Sequence, residues 1–441
     1  MPRVQARVLI AARDDAIAGP LAEGLDRLGW RTITARGPNA ALAALGDLSI
    51  EAVIIDLAGW GEGAVRIARR LREAYIPRRL PIVAVGEPSE DDEGAFDLTI
   101  AAPLHPSQAA AQLESLVRMA LCEEEFILRA QTLETVGRRL EPPEPDPSPY
   151  RVLAIGEPAP QFLALSNALA RSGAEVVGAF TAYTAFDYLH ERAFDAVVLW
   201  AGEHSAEALS IASGMRRNTR LFHIPALLYM QADACMTLSE AYNRGISDIA
   251  SPETPEIETA RRVLELARNF RRQLAVRHAL EGARQSGLMD LATGLFPRDL
   301  FAAHLVRLSH AARERRRPLS VCVLKVADRP ETVQARAGGW LDRAIPQIGS
   351  MIGRLVRSED TAARLAGEIF ALAMPATPAA AARAAGERIA AVIGCTAFEA
   401  GDGLPPFVAE FDIGVAEING PEDAARALET AAARAELRRS A

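Results

Sequence analysis

Three short segments of this 441-residue chain recur at one fixed offset. Arg7-Val8-Leu9 returns as Arg151-Val152-Leu153. Ala52-Val53-Ile54-Ile55-Asp56 returns as Ala196-Val197-Val198-Leu199-Trp200, and Pro81-Ile82-Val83, more loosely, as Pro225-Ala226-Leu227. One offset held across separate segments marks a duplicated domain. Between the copies, Glu141 to Pro149 reads EPPEPDPSP. Proline at that density fixes φ and removes N–H donors, so this stretch is a semi-rigid linker rather than helix or sheet. Inside the copies, short apolar runs alternate with amphipathic helical stretches. The runs are VLIA, TITA, AVIID, IVAV and LTIAA in the first, and VLAI, EVVGAF, AVVLW, ALLYM and DIAS in the second. That alternation predicts two α/β domains, each a doubly wound five-stranded parallel sheet with any site at the carboxyl ends of the strands.

A chain of this length exceeds one hydrophobic core and predicts two to four domains. The net charge of −8 weighs against a nucleic-acid partner, which wants a basic footprint. The four cysteines lie far apart without metal spacing and read as reduced core thiols. The N-terminus has no apolar signal region, and no uncharged run reaches membrane-spanning length, so no membrane span and a cytoplasmic protein are expected. From Glu256 to Gln285, Arg261-Arg262 and Arg271-Arg272 alternate with apolar residues at helical spacing. This reads as a connecting helix with a solvated face.

The repeated units resemble response-regulator receiver domains. In that family an Asp ending the third strand carries a phosphoryl group, a role the resemblance gives to Asp56 as candidate phosphoacceptor. The supporting positions have changed. Ala12-Arg13 stands at the metal-holding acidic pair, Gly86 at the hydroxyl and Ala102 at the lysine, and only Pro103 is kept. Asp14 and Asp15 come two residues late and suit a helix cap. In the second copy Gly156-Glu157, Trp200, Met230 and Ser251 occupy the corresponding positions. Without a carboxylate nucleophile, aspartyl-phosphate chemistry is excluded there, and Trp200 is expected to fill the pocket in an adaptor domain.

From Asp290 on, ordered motifs resemble a GGDEF domain of the diguanylate cyclase family. They are Asp290-Leu291-Ala292-Thr293-Gly294-Leu295-Phe296-Pro297-Arg298, then Arg364-Leu365-Ala366-Gly367-Glu368-Ile369-Phe370, then Asp412-Ile413-Gly414-Val415-Ala416. The receiver, receiver, GGDEF arrangement is that of the PleD group. Expected boundaries are 1–140 and 150–270 for the receiver-like domains, 141–149 for the linker, 271–289 for a connecting helix and 290–441 for the GGDEF domain. The family joins two GTP molecules into cyclic di-GMP with two metal ions. The resemblance places Lys325 at the first-strand metal Asp, Ala327 at a further acidic position and Val333 at a guanine-reading Asn. Ala366 and Ile369 replace signature residues and Glu368 alone survives. One carboxylate cannot hold two hard cations, so neither metal nor catalysis is expected. A register slip would put Asp328 at the metal, against the strand periodicity.

Arg357-Ser358-Glu359-Asp360 has the spacing of the family's product-binding RxxD site, with Arg388 on the next helix. A guanidinium forks onto guanine O6 and N7 or phosphate. An aspartate accepts from guanine N1–H and N2–H₂. The expected ligand is cyclic di-GMP, held by Arg357, Ser358, Glu359, Asp360 and Arg388. The resemblance implies an effector, a homodimer located at a cell pole, with protein partners: an adaptor and a cell-cycle regulator delivered to a protease. An active cyclase with a divergent site, or a phosphorylation-controlled interaction protein without nucleotide, are the alternatives.

Overall fold

The computed structural model describes all residues except 1–5, 61–62, 77, 87–93, 101, 103, 202–204, 219, 231–237, 285–286, 402, 421–422 and 438–441. Pro103 and Gln285 therefore lie outside the described residues. In the first repeat the strands are β1 (Arg7–Ala11), β2 (Arg31–Ala35), β3 (Ala52–Asp56), β4 (Ile82–Val85) and β5 (Leu98–Ile100). The helices are α1 (Asp15–Arg27), α2 (Pro38–Asp47), α3 (Leu57–Trp60), α4 (Gly63–Tyr75) and α5 (Pro106–Glu134). The second repeat contains β6 (Arg151–Ile155), β7 (Glu175–Ala179), β8 (Ala196–Ala201), β9 (Ala226–Met230) and β10 (Asp248–Ala250). Its helices are α6 (Pro160–Arg171), α7 (Ala182–Glu191), α8 (Ser205–Arg217), α9 (Leu238–Asn243) and α10 (Glu256–Arg284).

Both sheets are parallel and five-stranded, ordered β2-β1-β3-β4-β5 and β7-β6-β8-β9-β10. The registers correspond: Val8 faces Ala52 as Val152 faces Ala196. Strands β3, β8 and β9 are buried throughout, because helices cover both faces of a parallel sheet. At the end of β8, Trp200 stacks on Tyr229 (4.2 Å between ring centres, 12° between planes) and meets Phe162 edge-on. Gly156 makes room for it: φ is 144°, and a Cβ there would lie 2.4 Å from Trp200 Cβ.

Two expectations change. Two arginines of α10 do not belong to a solvated face: Arg262 is 2% exposed and forks onto Asp248, and Arg271 pairs with Asp195 and with linker carbonyls. Buried carboxylates on the sheet domain need a cation, and the helix supplies it. Among the cysteines described, Cys122 and Cys322 are buried but Cys395 is exposed.

The C-terminal sheet mixes directions. Its strands are β11 (Phe296–Pro297), β12 (Leu319–Val326), β13 (Thr361–Ala366), β14 (Ile369–Pro375) and β15 (Phe411–Glu417), in the order β11-β13-β14-β12-β15. Around it lie α11 (Arg298–Glu314), α12 (Pro330–Ala337), α13 (Trp340–Leu355), α14 (Ala379–Gly394) and α15 (Ala424–Leu437). Alternation along β12 divides the core. Cys322, Leu324 and Val326 join residues of α13 and α14, while Leu319, Val321 and Val323 join residues of α11 and α15. Leu133, near the end of α5, belongs to this second cluster. Compactness accordingly groups residues 121–142 with 276–441, and 143–275 with 5–120. The tail of α5, assigned by the sequence boundaries to the first receiver-like domain, is thus part of the C-terminal unit. No helix among the described residues is long and apolar enough to cross a membrane.

Candidate functional site

Helix α13 ends at Leu355, Val356 turns extended, and Arg357-Ser358-Glu359-Asp360 forms the turn leading into β13. The turn closes on itself: the Asp360 N–H donates to the Arg357 carbonyl (3.2 Å) and Asp360 Oδ2 accepts from the Arg357 N–H (3.3 Å). Arg357 and Ser358 are half-buried, whereas Glu359 and Asp360 are each only 6% exposed. The acidic half of the tetrapeptide is thus buried while its Arg357 end is partly open. Asp360 Oδ1 is buried with no hydrogen-bond partner. Burial, followed by the neighbouring Glu359 carboxylate, pushes the Asp360 carboxyl up to about 8, against the pull of Arg357.

The cover is the last turns of α5. Cys122 Sγ donates to Glu359 Oε2 (3.6 Å), and burial pushes that thiol well above its ordinary range. One helical turn on, Glu125 Oε1 takes Arg129 Nη2 (2.6 Å) and Thr361 Oγ1 (2.6 Å), and lies 3.0 Å from His304 Nε2. Arg129 also donates to Thr361 Oγ1 (3.0 Å), and its guanidinium lies over the Phe296 ring. Thr132 Oγ1 meets His304 Nδ1 at 3.0 Å. Burial alone would raise the Glu125 carboxyl, but His304 and Arg129 hold it down at about 2. Just before it, Glu124 pairs with Arg315 and with Arg317. None of Cys122, Glu125, Arg129 or His304 was singled out from sequence. The one available signal was the i,i+4 spacing of Glu125 and Arg129, which commonly marks an exposed pair.

Arg388 lies on the exposed side of α14, and among the described residues no hydrogen bond or ion pair joins it to the turn.

A second group of residues surrounds the β13–β14 hairpin. Lys325 stands opposite Ile369 on one side and Asp412 on the other, and its ammonium reaches Glu436 at 2.9 Å. Glu368, in the hairpin turn, is held by Arg336: Nε to Oε1 at 2.7 Å and Nη2 to Oε2 at 2.6 Å. Arg336 Nη1 takes Asp328 as well, 3.0 Å away. Asp328 lies beyond the end of β12, so the strand register leaves Lys325, not Asp328, opposite the hairpin. This arrangement does not fit a divalent cation at the hairpin, since Glu368 and Asp328 are tied by one guanidinium and the Lys325 ammonium stands on the strand beside β14. The opening motif folds locally: Asp290 accepts from the Thr293 N–H and hydroxyl, and Arg364 reaches it at 3.4 Å.

In the first receiver-like domain Asp56 is 5% exposed; Oδ1 accepts from the Ala58 N–H (3.3 Å), and Oδ2 is buried without a hydrogen-bond partner. The backbone of α3 closes over it, for a Cβ at Gly59 would lie 3.2 Å from Oδ2. Arg13 lies over the Trp60 ring. Asp14 caps α1 by accepting from the Ala16 N–H, and Asp15 pairs with Arg36.

Residues 287–439 match the family model described as diguanylate cyclase, GGDEF domain. Over 404 residues the chain is 23% identical to the response regulator PleD of Caulobacter vibrioides, covering 89% of this chain and 87% of that one. Among solved structures, the GGDEF domain of FimX from Pseudomonas aeruginosa is 23% identical over 34% of this chain and 91% of that chain, with a TM-score of 0.30. The GGDEF domain of DgcB from Caulobacter crescentus in complex with c-di-GMP is 23% identical over 34% of this chain and 90% of that chain, with a TM-score of 0.32.

Proposed function

We propose that this protein is a cyclic di-GMP effector whose GGDEF domain binds the dinucleotide at Arg357, Ser358, Glu359 and Asp360 and does not synthesise it. The observation that carries this reading is Asp360 itself. One carboxylate oxygen orders its own turn and the other is buried with nothing to accept from. A buried acceptor without a donor costs about 1–3 kcal/mol, more when charged. A guanine edge offers two donors to such a carboxylate, and Arg357, on the same turn, supplies the fork for its O6 and N7 or for phosphate. Arg388 would join from α14 in the bound state.

The absence of synthesis is supported by the hairpin. The resemblance puts the metal ions of the cyclase reaction at this hairpin, and Lys325 and Arg336, paired with Glu436, Glu368 and Asp328, are two cations of the chain beside it. With no metal site to serve it, the domain's output is binding, and the receiver-like domains supply docking surfaces for a partner and for a second copy. The resemblance to the PleD group implies, as such partners, an adaptor and a cell-cycle regulator delivered to a protease at a cell pole.

Calorimetric titration of the full chain with cyclic di-GMP tests the reading. Wild type gives a heat of binding, and Arg357→Ala gives none. Steady production of cyclic di-GMP from GTP with Mg²⁺ or Mn²⁺ would show the enzyme reading to be the right one.

A further inference from the structure

The Arg357–Asp360 turn is already occupied, and the occupant is part of the same chain. Between Leu121 and Glu134 the tail of α5 packs on the C-terminal unit through contacts suited to holding a closed state. Glu125, Arg129 and Thr361 form one hydrogen-bonded cluster with His304, each of these side chains nearly or fully buried. Leu133 is fully buried in the domain core, and Phe126 packs with Val276 and Leu280 of α10. Cys122 is spent on Glu359, the residue between Ser358 and Asp360.

This arrangement is unlike an ordinary helix packing in one respect. Its centre gathers three carboxylates, those of Glu125, Glu359 and Asp360, and leaves Asp360 Oδ1 and Glu125 Oε2 without partners. Buried polar groups are nearly always satisfied in a permanent interface. An interface that leaves two carboxylate oxygens unmet is one from which another ligand can gain, since the donors it brings face no competing ones.

We infer that the tail of α5 is an autoinhibitory latch over the RxxD turn, and that cyclic di-GMP and the latch exclude one another. The inference rests on the function proposed above. Asp360 cannot accept from a guanine edge while it is covered, so the dinucleotide binds only the fraction of molecules in which the tail has moved away. Affinity is then set by the latch as well as by the turn. Binding in turn frees Cys122, Glu125 and Arg129. Because α5 is one helix that begins at Pro106 in the first receiver-like domain, its release is a change the amino-terminal part of the chain can report.

Cys122 gives the readout without any mutation. It is 5% exposed in the latched state, and Cys322, in the core of the same domain, is 0% exposed and serves as the control for unfolding. The full chain is treated with a maleimide, with and without cyclic di-GMP, and alkylation at each cysteine is followed by peptide mass spectrometry beside a calorimetric titration. The latch predicts that ligand speeds alkylation of Cys122 about tenfold or more while Cys322 stays protected. A heat of binding with Cys122 unchanged, or better protected, overturns the latch and leaves the effector reading standing. No heat of binding overturns the effector reading, and the latch with it. Leu133→Ala, which removes a buried anchor outside the binding residues, is expected to raise Cys122 reactivity without ligand and to tighten cyclic di-GMP binding. Unchanged or weaker binding by a folded Leu133→Ala chain, Cys322 still protected, also counts against the latch.

Discussion

Arg336 holds Glu368 by two arms of its guanidinium, at 2.7 and 2.6 Å, and takes Asp328 with the third nitrogen at 3.0 Å. A planar fork satisfies a carboxylate as a divalent ion would, and cannot be deprotonated away. The arginine therefore stands in the place of a cation. Replacing it should uncover two carboxylates that attract one. Arg336→Ala is expected to show weak Mn²⁺ binding by paramagnetic resonance that wild type lacks. It should still make no cyclic di-GMP from GTP, because Lys325 remains. The stability cost should be no more than about 1 kcal/mol, since the pair is partly exposed.

Asp360 predicts a pH dependence with a definite sign. Its carboxyl is pushed up to about 8, from an ordinary value near 3.8, by burial and Glu359. Glu359, Glu125 and Cys122 face it, with Arg357 the cation on its own turn. Between those two values the native state holds a proton that the unfolded chain has lost. Its contribution to stability therefore falls as pH rises through that window. Asp360→Asn keeps the shape and removes the charge. Thermal unfolding at pH 9 should show the variant melting above wild type, with the gap closing at pH 5. The same variant should lose cyclic di-GMP.

Arg129 is the opposite case. At 2% exposure it is the main cation for Glu125 on its own helix. Arg129→Ala strips a buried ion pair of one partner, which costs about 3–5 kcal/mol. Urea unfolding of the C-terminal unit should report it. Glu125, held at about 2, lies below its unfolded value near 4.5. Its share of wild-type stability is full above that value and lost as pH falls through it toward 2.

Asp56 should not take a phosphoryl group. Its oxygens are enclosed by α3, and the acidic residues that follow β1, Asp14 and Asp15, serve a helix cap and pair with Arg36. Incubation with acetyl phosphate and Mg²⁺, read by mass spectrometry of the peptide containing Asp56, should show no adduct. A stoichiometric adduct would return the protein to phosphorylation control.

The hydrophobic pattern carried the architecture. The repeat offset and the apolar runs located the strands of both parallel sheets, the central ones because strands covered on both faces are apolar along their whole length. The motifs from Asp290 to Ala416 located the third sheet, and the family resemblance carried by them marked the positions at which Lys325 and Ile369 stand. These properties are local: they depend on period and neighbour, which a linear string preserves. What the string does not preserve is which charge meets which across long separations. Arg336 and Glu368, Glu125 and Thr361, Cys122 and Glu359 are each far apart in sequence and in hydrogen-bond contact in space. Arg262 and Arg271 read as solvent-facing charges until a buried carboxylate was found opposite each. The tetrapeptide Arg357-Ser358-Glu359-Asp360 could be marked from sequence as a candidate ligand motif. That its acidic half lies beneath α5 was decided by tertiary packing, because burial of a charge depends on the partners that surround it and not on its place in the chain.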